Sequence, residues 1–282
     1  MSNTIARRDF GLQLGSLLVF SIVIGLFCWI SFDIIMQGSQ NLGIDFLLNS
    51  PENAGREGGI RPIITSTVLI LLVCLSVSFP IAFSSALVLS GKIWPEKKTF
   101  RIANASIGVL AGVPSIVYGL FGNVFFCQYL GLGYSLLSGG LTLACMILPL
   151  SIKLLEDCIR TVPNEYILAA KSLNLSASSS IRQVIVPAIA PQITAAFILS
   201  IGRSLAETAA LLFTSGYVMR DPESLLDSGR TLSIHIFDLS MNVTGANQNT
   251  YSTACVLLIF LFIINFCGHS ANKLWRRFNY GD

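Results

Sequence analysis

From Val186 to Phe213 the chain reads VPAIAPQITAAFILSIGRSLAETAALLF, an apolar stretch interrupted by one arginine and one glutamate. It is long enough to cross a lipid bilayer, which requires about 20 apolar residues in a helix. A charge near the middle of a bilayer costs roughly 2.5–3.5 kcal/mol on insertion scales, so a charged residue there usually serves a function. The stretch therefore indicates a membrane protein that handles an anion or gates a path for one.

The two charged residues of this stretch, Arg203 and Glu207, are four positions apart, which would place both side chains on one face of a helix. If the helix enters the membrane near Pro187, Arg203 lies roughly 24 Å further along it, toward the outer side. We expect Arg203 to contact an anion briefly through its planar, permanently charged group. Glu207 is expected to hold the arginine when no anion is present. A purely structural ion pair between helices or subunits is the alternative.

The overall composition is that of a membrane protein. The chain has 282 residues, of which 53% are hydrophobic and only 12% are charged, and its mean hydropathy is +0.70. An ordinary soluble domain has about 25% charged residues. The apolar runs are continuous, whereas the strands of a membrane barrel alternate in polarity over about ten residues. The chain is therefore predicted to be an all-α polytopic membrane protein.

Six apolar segments reach or approach the length that a membrane-spanning helix requires. The first is longer than the apolar part of a signal peptide and has no small-residue cleavage site after it, so we expect it to remain as an anchor. The transmembrane domain is thus predicted to cover 12–270, with terminal segments at 1–11 and 271–282. The six predicted spans are roughly 12–35, 63–90, 102–126, 134–153, 187–213 and 250–270.

The distribution of lysine and arginine predicts the orientation of these spans. One set of loops, which includes both termini, carries thirteen of these residues, and the opposite set carries four. Because basic residues favour the cytoplasmic side, we expect a multi-pass protein of the inner or plasma membrane with both termini in the cytoplasm. The segments 36–62, 127–133 and 214–249 then face outward.

The segment 154–186 is the longest cytoplasmic connection, and its sequence predicts structure rather than a solvated linker. Pro163 suits a helix start, and Glu165 suits the first turn of that helix, near the positive end of its dipole. The stretch NLSASSS from Asn174 to Ser180 breaks the helical pattern, because Asn and Ser favour turns and caps. We expect two short helices joined by a turn, with a surface of alanines and leucines that docks into a groove of another protein.

Proline and glycine punctuate the third apolar segment, where residues 112–122 read GVPSIVYGLFG. Pro114 breaks a backbone hydrogen bond and bends a helix. We expect a bent, slightly polar helix that moves or lines a path, and ordinary tight packing is the alternative. The residues assigned to this element are Gly112, Pro114, Ser115, Tyr118 and Gly119.

The sequence shows no signature of an enzyme or of a metal site. It has no GxxxxGK[ST] phosphate loop, so we expect no ATPase in this chain. Six of the seven cysteines lie in or beside apolar runs and none forms a CxxC pair, which favours buried packing over metal ligation. We expect no cofactor bound by the chain itself, and we expect membrane lipid rather than nucleic acid as its surroundings.

The segment from Pro163 to Pro187 resembles the coupling loop of permeases of ATP-binding-cassette (ABC) importers. The family pattern is Glu-Ala-Ala, three residues, Gly, nine residues, Ile, any residue, Leu, Pro. The spacing is kept throughout, with Leu in place of the glutamate and Asn in place of the glycine. Asn can adopt the left-handed conformation that glycine provides, and Glu165 is a nearby carboxylate on a different helical face. The matching positions are Leu168, Ala169, Ala170, Asn174, Val184, Val186 and Pro187.

Three stretches resemble the permeases of phosphate importers of the Pst type, and the third resembles the PstA subunit more than its PstC partner. The resemblance implies the six-helix fold of a type I ABC importer permease, with Arg203, Glu207 and Thr208 on the substrate path. Departures from the family are Ala206 and Ala210, where glycine and proline are usual. The stretches are GGIRPIITST (58–67), GVPSIVYGLFG (112–122) and IGRSLAETAALLFTSG (201–216).

The resemblance also implies partners for the chain. A second, PstC-like permease would form the path with it, and two copies of a PstB-like ATPase, which binds ATP and Mg, would lie on the cytoplasmic side. A PstS-like phosphate-binding protein would dock on the outside. The segment 163–187 would transmit movement of the ATPase to the helices. A permease for sulfate, molybdate or another oxyanion is one alternative, and a stand-alone anion carrier or channel is another.

Overall fold

In the computed structural model, which describes residues 2–94 and 98–280, the chain is mostly helical. Residues 1, 281 and 282 of the predicted terminal segments, and Lys97 of the predicted cytoplasmic loops, lie outside the described residues. A short antiparallel pair of strands, β1 (Pro51–Glu52) and β2 (Glu57–Gly58), marks what we call the hairpin end of the molecule. The helices are α1 (Ser2–Gly38), α2 (Ile44–Leu48), α3 (Arg61–Leu89), α4 (Lys98–Ala111), α5 (Ser115–Gly122), α6 (Leu136–Arg160), α7 (Asn164–Ser172), α8 (Ala177–Ser180), α9 (Val186–Leu205), α10 (Ala209–Leu212), α11 (Leu232–Met241) and α12 (Asn247–Tyr280).

Five helical segments of the described chain are long and apolar enough to cross a membrane on their own. The helices α4 and α5 make a sixth span only when they are counted together, because a bend of 98° separates them. The prediction of an all-α, multi-pass membrane protein is confirmed. The five unbroken segments are Gln13–Asn41, Arg61–Leu89, Leu136–Arg160, Ala177–Leu205 and Asn247–Trp275.

The predicted bend in the span 102–126 is confirmed, and at 98° it is sharp enough to divide the span into two helices. The helix α4 ends at Ala111 and α5 begins at Ser115, with Pro114 between them in an extended conformation (φ −58°, ψ 140°). Proline cannot donate a hydrogen bond to the preceding turn, so the chain turns sharply here. The hydroxyl group of Tyr118 donates to the carbonyl group of Leu110 (2.9 Å) and so links the two sides of the bend.

The centre of the protein is the contact between α3 and α6. The apolar part of α6 is 67% buried, whereas that of α1 is 0% buried. Gly140 lets the two helices approach each other, because a Cβ atom there would lie only 2.6 Å from the Cβ atom of Val73. Around this contact lie buried side chains such as Ile70, Leu143 and Ile147. In a bilayer such close packing, rather than removal from water, provides most of the attraction between helices.

The first helix lies on the outside of this assembly. Its apolar side chains, including Phe27 and Trp29, are exposed, so they face lipid or another subunit. The helix is attached near its last turn to α12. There the Oγ atom of Ser252 donates to the carbonyl group of Gly38 (3.0 Å), and a Cβ atom on Gly38 would lie 2.5 Å from the carbonyl oxygen of Tyr251.

A buried network of charged groups holds the hairpin end together. Arg230 is 4% exposed, pairs with Asp238 of α11 (2.9 Å) and donates to the carbonyl group of Tyr217 (3.1 Å). Arginine has only donors, so its Nη1 atom donates to Nδ1 of His235 (3.2 Å). The ring of His235 in turn lies against Gly55, where a Cβ atom would be 3.1 Å from Cε1. The network therefore joins α11, the segment before it and the turn between the strands.

Replacement of Arg230 by alanine is expected to lower the free energy of unfolding by about 3 kcal/mol. The carboxylate of Asp238 then remains largely buried without its ion-pair partner. The control is Arg220→Ala, since Arg220 pairs with Asp227 (2.7 Å) but its side chain is 58% exposed. Exposed pairs contribute about 0–1 kcal/mol. Thermal unfolding of the purified protein in detergent measures both changes, and equal losses would contradict the buried network.

The stability of the hairpin end is also expected to depend on pH through His235, which lies outside the membrane-spanning segments. Burial, and next the positive charge of Arg230, lowers the pKa of His235 to about 3, whereas the unfolded chain has a value of about 6.5. Between these values the unfolded state binds a proton that the folded state does not, so stability falls as the pH decreases from about 6.5 toward 3. The unfolding temperature of His235→Gln should fall less over this range. Parallel curves for the two proteins would rule the effect out.

Candidate functional site

A groove of about 530 Å³ contains both charged residues of the segment 186–213. Its walls come from α6, α9 and α12 and are largely apolar, with Leu150, Leu154 and Leu199 among them. Arg203 and Glu207 both line it. The structure thus brings the two predicted path residues to one space, next to the end of a membrane-spanning helix.

The two residues do not share one face of a helix, which corrects the prediction from their spacing. The helix α9 ends at Leu205, and the amide group of Glu207 donates to the carbonyl group of Ser204 (3.2 Å) in a tighter turn. The carboxylate of Glu207 accepts a hydrogen bond from the amide group of Ala210 (3.2 Å). This bond satisfies one of the free N–H groups at the start of α10 and places a negative charge at the positive end of its dipole. Glu207 therefore starts a new helix instead of continuing the old one.

A residue of α11 also stabilises the break between α9 and α10. The hydroxyl group of Ser233 donates to the carbonyl group of Glu207 (2.6 Å). Thr208, the third predicted path residue, stands directly before α10, is half-buried, and makes no capping hydrogen bond through its side chain. The predicted single span 187–213 is thus divided at Ala206–Thr208, because side chains outside α9 satisfy the backbone there.

Arg203 is exposed in the last turn of α9. A cation is favourable at that position, because the free carbonyl groups at the end of a helix carry partial negative charge. Among the described residues no acidic side chain pairs with Arg203, so the ion pair expected with Glu207 is absent from this structure. The five N–H donors of the guanidinium group are left available to a ligand.

Sequence reasoning missed a third polar residue of the groove, Asn265 of α12. Its amide nitrogen donates to the carbonyl group of Leu261 one turn earlier (2.8 Å), which leaves the amide oxygen free to accept. A signal was present in the sequence, since an asparagine interrupts the apolar run LLIFLFIINFC. Polar residues within spans usually face protein or a water-filled path.

The glycines of the bent element serve close contacts. A Cβ atom on Gly119 would lie 2.8 Å from the Cα atom of Ala210 in α10, and one on Gly122 would overlap the side chain of Thr142 in α6. At the end of α5 the glycines therefore fit tight packing, the alternative to a moving or path-lining helix. Gly112, by contrast, lies at the bend with room around it, and Ser115 is the first residue of α5. The bent element is thus fastened to the short helix that Glu207 starts.

The predicted coupling loop 154–186 is largely helical, as the sequence indicates: α6 extends to Arg160, α7 follows, and α8 begins at Ala177. The non-helical residues between α6 and α8 lie within 161–176, on either side of α7. Pro163 immediately precedes α7, and Asn174 after it has a positive φ of 53°, as the sequence predicts. Pro187 lies within the unbroken helical segment Ala177–Leu205, just after a wider π-helical stretch at Ile181–Ile185.

The two faces of α7 differ. Ile167 and Ala170, the latter 3% exposed, are buried, and Ile167 packs into the core between α3, α6 and α9. The other face presents large apolar side chains to the outside, among them Leu168, which is 61% exposed, and Tyr166. Of the residues that match Glu-Ala-Ala, Leu168 and Ala169 are therefore open to a partner and Ala170 is not. Exposed apolar patches of this kind mark surfaces that bind proteins.

These features define a membrane permease of the type I ABC importer class, with broken spans beside a groove that holds two charged residues and a short exposed helix between two long ones. Residues 78–277 match the family described as "Binding-protein-dependent transport system inner membrane component", and the chain belongs to that family. Proteins of this family are the membrane subunits of ABC importers and are not themselves the ATPases. They act with an ATPase, a substrate-binding protein and a second permease subunit.

The chain is similar to several characterised or named permeases. It is 28% identical to the probable ABC transporter permease protein YqgI of Bacillus subtilis, over 94% of this chain and 93% of the relative. It is 29% identical to the phosphate transport system permease protein PstA 2 of Mycobacterium bovis, over 80% and 75%. It is 27% identical to the phosphate transport system permease protein PstC of Xylella fastidiosa, over 82% and 78%.

The fold is that of a solved ABC transporter subunit. A chain from inward-facing structures of the MetNI methionine ABC transporter superimposes with a TM-score of 0.62 and 14% sequence identity, over 77% of this chain and 95% of that one. At this identity the likeness concerns the fold alone. It agrees with the prediction of a type I importer permease.

The two alanines of the coupling segment are expected to respond differently to the same change. Ala170→Arg forces a charge into a buried position and should lower the free energy of unfolding by several kcal/mol, roughly 3 or more. Ala169→Arg lies on the exposed face and should change it by no more than about 0.5 kcal/mol. Thermal unfolding of both variants in detergent measures the difference. Equal destabilisation would contradict the two-faced description of α7.

Proposed function

We propose that this chain is the PstA-type permease subunit of an ATP-driven importer of inorganic phosphate. The observation that carries the proposal is Arg203, which lines a groove at the end of a membrane-spanning segment without an acidic partner among the described residues. The helix end favours the cation only in part, and within a span a charge also needs water or an anion around it. The similarity to PstA 2 supports phosphate as that anion.

The groove suits brief rather than tight binding. The planar guanidinium group of Arg203 can present two parallel N–H donors to two phosphate oxygens. Glu207 lines the same groove but its carboxylate is engaged by the Ala210 amide group, so it moderates the positive charge without pairing with Arg203. Asn265 adds one neutral amide. A single cation beside one carboxylate and one neutral amide binds an anion weakly enough to release it. Transport requires such release.

The energy for transport would come from a partner through α7. We place the α7 end of the molecule in the cytoplasm on the distribution of basic residues. Two copies of a PstB-like ATPase, which bind ATP and Mg, would dock there, one on this chain and one on a PstC-like permease. The exposed Tyr166, Leu168 and Ala169 offer the apolar contact and Glu165 a carboxylate. A PstS-like protein would deliver phosphate at the hairpin end.

Replacement of Arg203 by alanine should reduce phosphate uptake roughly 10- to 100-fold, because hydrogen bonds to a charged group contribute about 1.5–3 kcal/mol. Arg203→Lys should retain only part of the activity, since lysine keeps the charge but not the planar fork. Uptake of labelled phosphate into proteoliposomes with the complete transporter measures both. The control is Arg277→Ala, which removes an exposed arginine in the last turn of α12.

Wild-type uptake for both Arg203 variants in assembled complexes would contradict a role on the substrate path. Cargo is tested in the same vesicles. ATP-dependent uptake of labelled sulfate or molybdate, but not phosphate, would replace the phosphate proposal with the other oxyanion. Uptake without the ATPase would favour a stand-alone carrier or channel.

A further inference from the structure

A buried acid lies where α6 approaches α7. Glu156 is 1% exposed, although it carries a carboxylate. Two cations on the same helix pair with it: Arg160 at 2.8 Å and Lys153 at 3.4 Å. A buried carboxylate loses its hydration, and only good partners offset that cost. Apolar side chains of similar size would serve packing equally well, so the acid points to a different purpose.

The same carboxylate reaches α4. The amide group of Asn104 donates to Oε1 of Glu156 (2.7 Å), and the ammonium group of Lys153 donates to the amide oxygen of Asn104. Asn104 lies on the helix that leads to the bend at Pro114. The three side chains therefore tie α4 to α6 by hydrogen bonds that fix both position and register.

Three further bonds lie between this arrangement and the start of α7. Arg160 donates to the carbonyl group of Leu89 at the end of α3 (3.3 Å). Lys92, which follows α3, donates to the carbonyl group of Val162 (2.6 Å) and to the side chain of Asn164 (2.8 Å), the first residue of α7. Thus the contacts around Glu156 join α3, α4 and α6, and the contacts of Lys92 join the residues after α3 to the start of α7, two residues beyond Arg160 in the chain.

We propose that this polar junction, formed by Lys92, Asn104, Lys153, Glu156 and Arg160, makes α4 and α7 move as one unit, so that displacement of α7 by a bound ATPase reaches the bend at Pro114. Glu156 is the positioning residue at its centre. Separating α4 from α6 would remove the Asn104 amide from the buried carboxylate of Glu156 and from Lys153, and a buried hydrogen bond to a charged group is costly to lose. A displaced α7 therefore carries α4 with it, and the bent element follows. This inference rests on the proposed transport function, and it assigns the contacts that couple the ATPase to the membrane helices.

Glu156→Gln tests the junction in the complete transporter reconstituted in proteoliposomes. Glutamine keeps the shape but lacks the charge that holds Lys153 and Arg160, so the contacts of these cations with Asn104 of α4 and with the carbonyl group of Leu89 weaken. We expect ATP hydrolysis stimulated by the loaded binding protein to stay within about twofold of wild type, while the phosphate delivered per ATP hydrolysed falls at least about fivefold. The control is Asp157→Asn, an exposed carboxylate on the same helix, which should leave the ratio unchanged.

A purely structural role for Glu156 predicts something else, namely that hydrolysis and uptake fall together while their ratio is kept. That outcome, or a wild-type ratio, overturns the proposal. Asn104→Ala gives an independent test if the Glu156 variant does not assemble, because it removes only the link to α4. A wild-type ratio of phosphate delivered to ATP hydrolysed in this variant would also overturn the proposal. Glu156→Asp, which restores the charge, should recover part of the ratio. Failure of wild-type vesicles to take up phosphate would instead count against the proposed function.

Discussion

The contact between Gly119 and Ala210 joins the two places where this chain interrupts a membrane helix. The helix α5 follows the bend at Pro114, and α10 follows the break at Glu207. Backbone groups freed at such breaks need partners within the protein, because lipid offers none. Tyr118 supplies one with its hydroxyl group and Glu207 supplies another with its carboxylate. The break at Glu207 lies at the groove that Arg203 lines.

The means of attachment differ along the molecule. Near α7 the helices are tied by the charged groups around Glu156, and at the hairpin end by those around Arg230. Between them, contacts such as Gly140 with Val73 rely on close packing alone. Broken ion pairs are costly in a buried setting, whereas packed apolar surfaces can slide at smaller cost. From this distribution we expect movement to cost least in the middle of the spans, around the bend and the groove.

Much of this architecture can be predicted from the sequence because hydropathy and backbone conformation are local properties. The spans, the helix start after Pro163 and the left-handed Asn174 all follow from a few neighbouring residues. The end of α9 does not, because it depends on Ser233, which lies 26 residues beyond Glu207. The four-residue spacing of Arg203 and Glu207 predicted an ion pair only on the assumption of an unbroken helix. Likewise, the burial of Ala170 depends on how α7 packs against the core, which its sequence alone does not reveal.

The first helix is held near its C-terminal end, and before that attachment the side chains that the structure describes, from Gln13 onward, are largely uncovered by the rest of the chain. The sequence there is therefore constrained by the length and hydrophobicity that a bilayer requires rather than by close packing. Many different apolar side chains would satisfy that demand, while Gly38 at the attachment tolerates almost none. Mutational tolerance should consequently rise along this helix with distance from Gly38, a gradient that a saturation library would display as a smooth slope rather than a helical stripe.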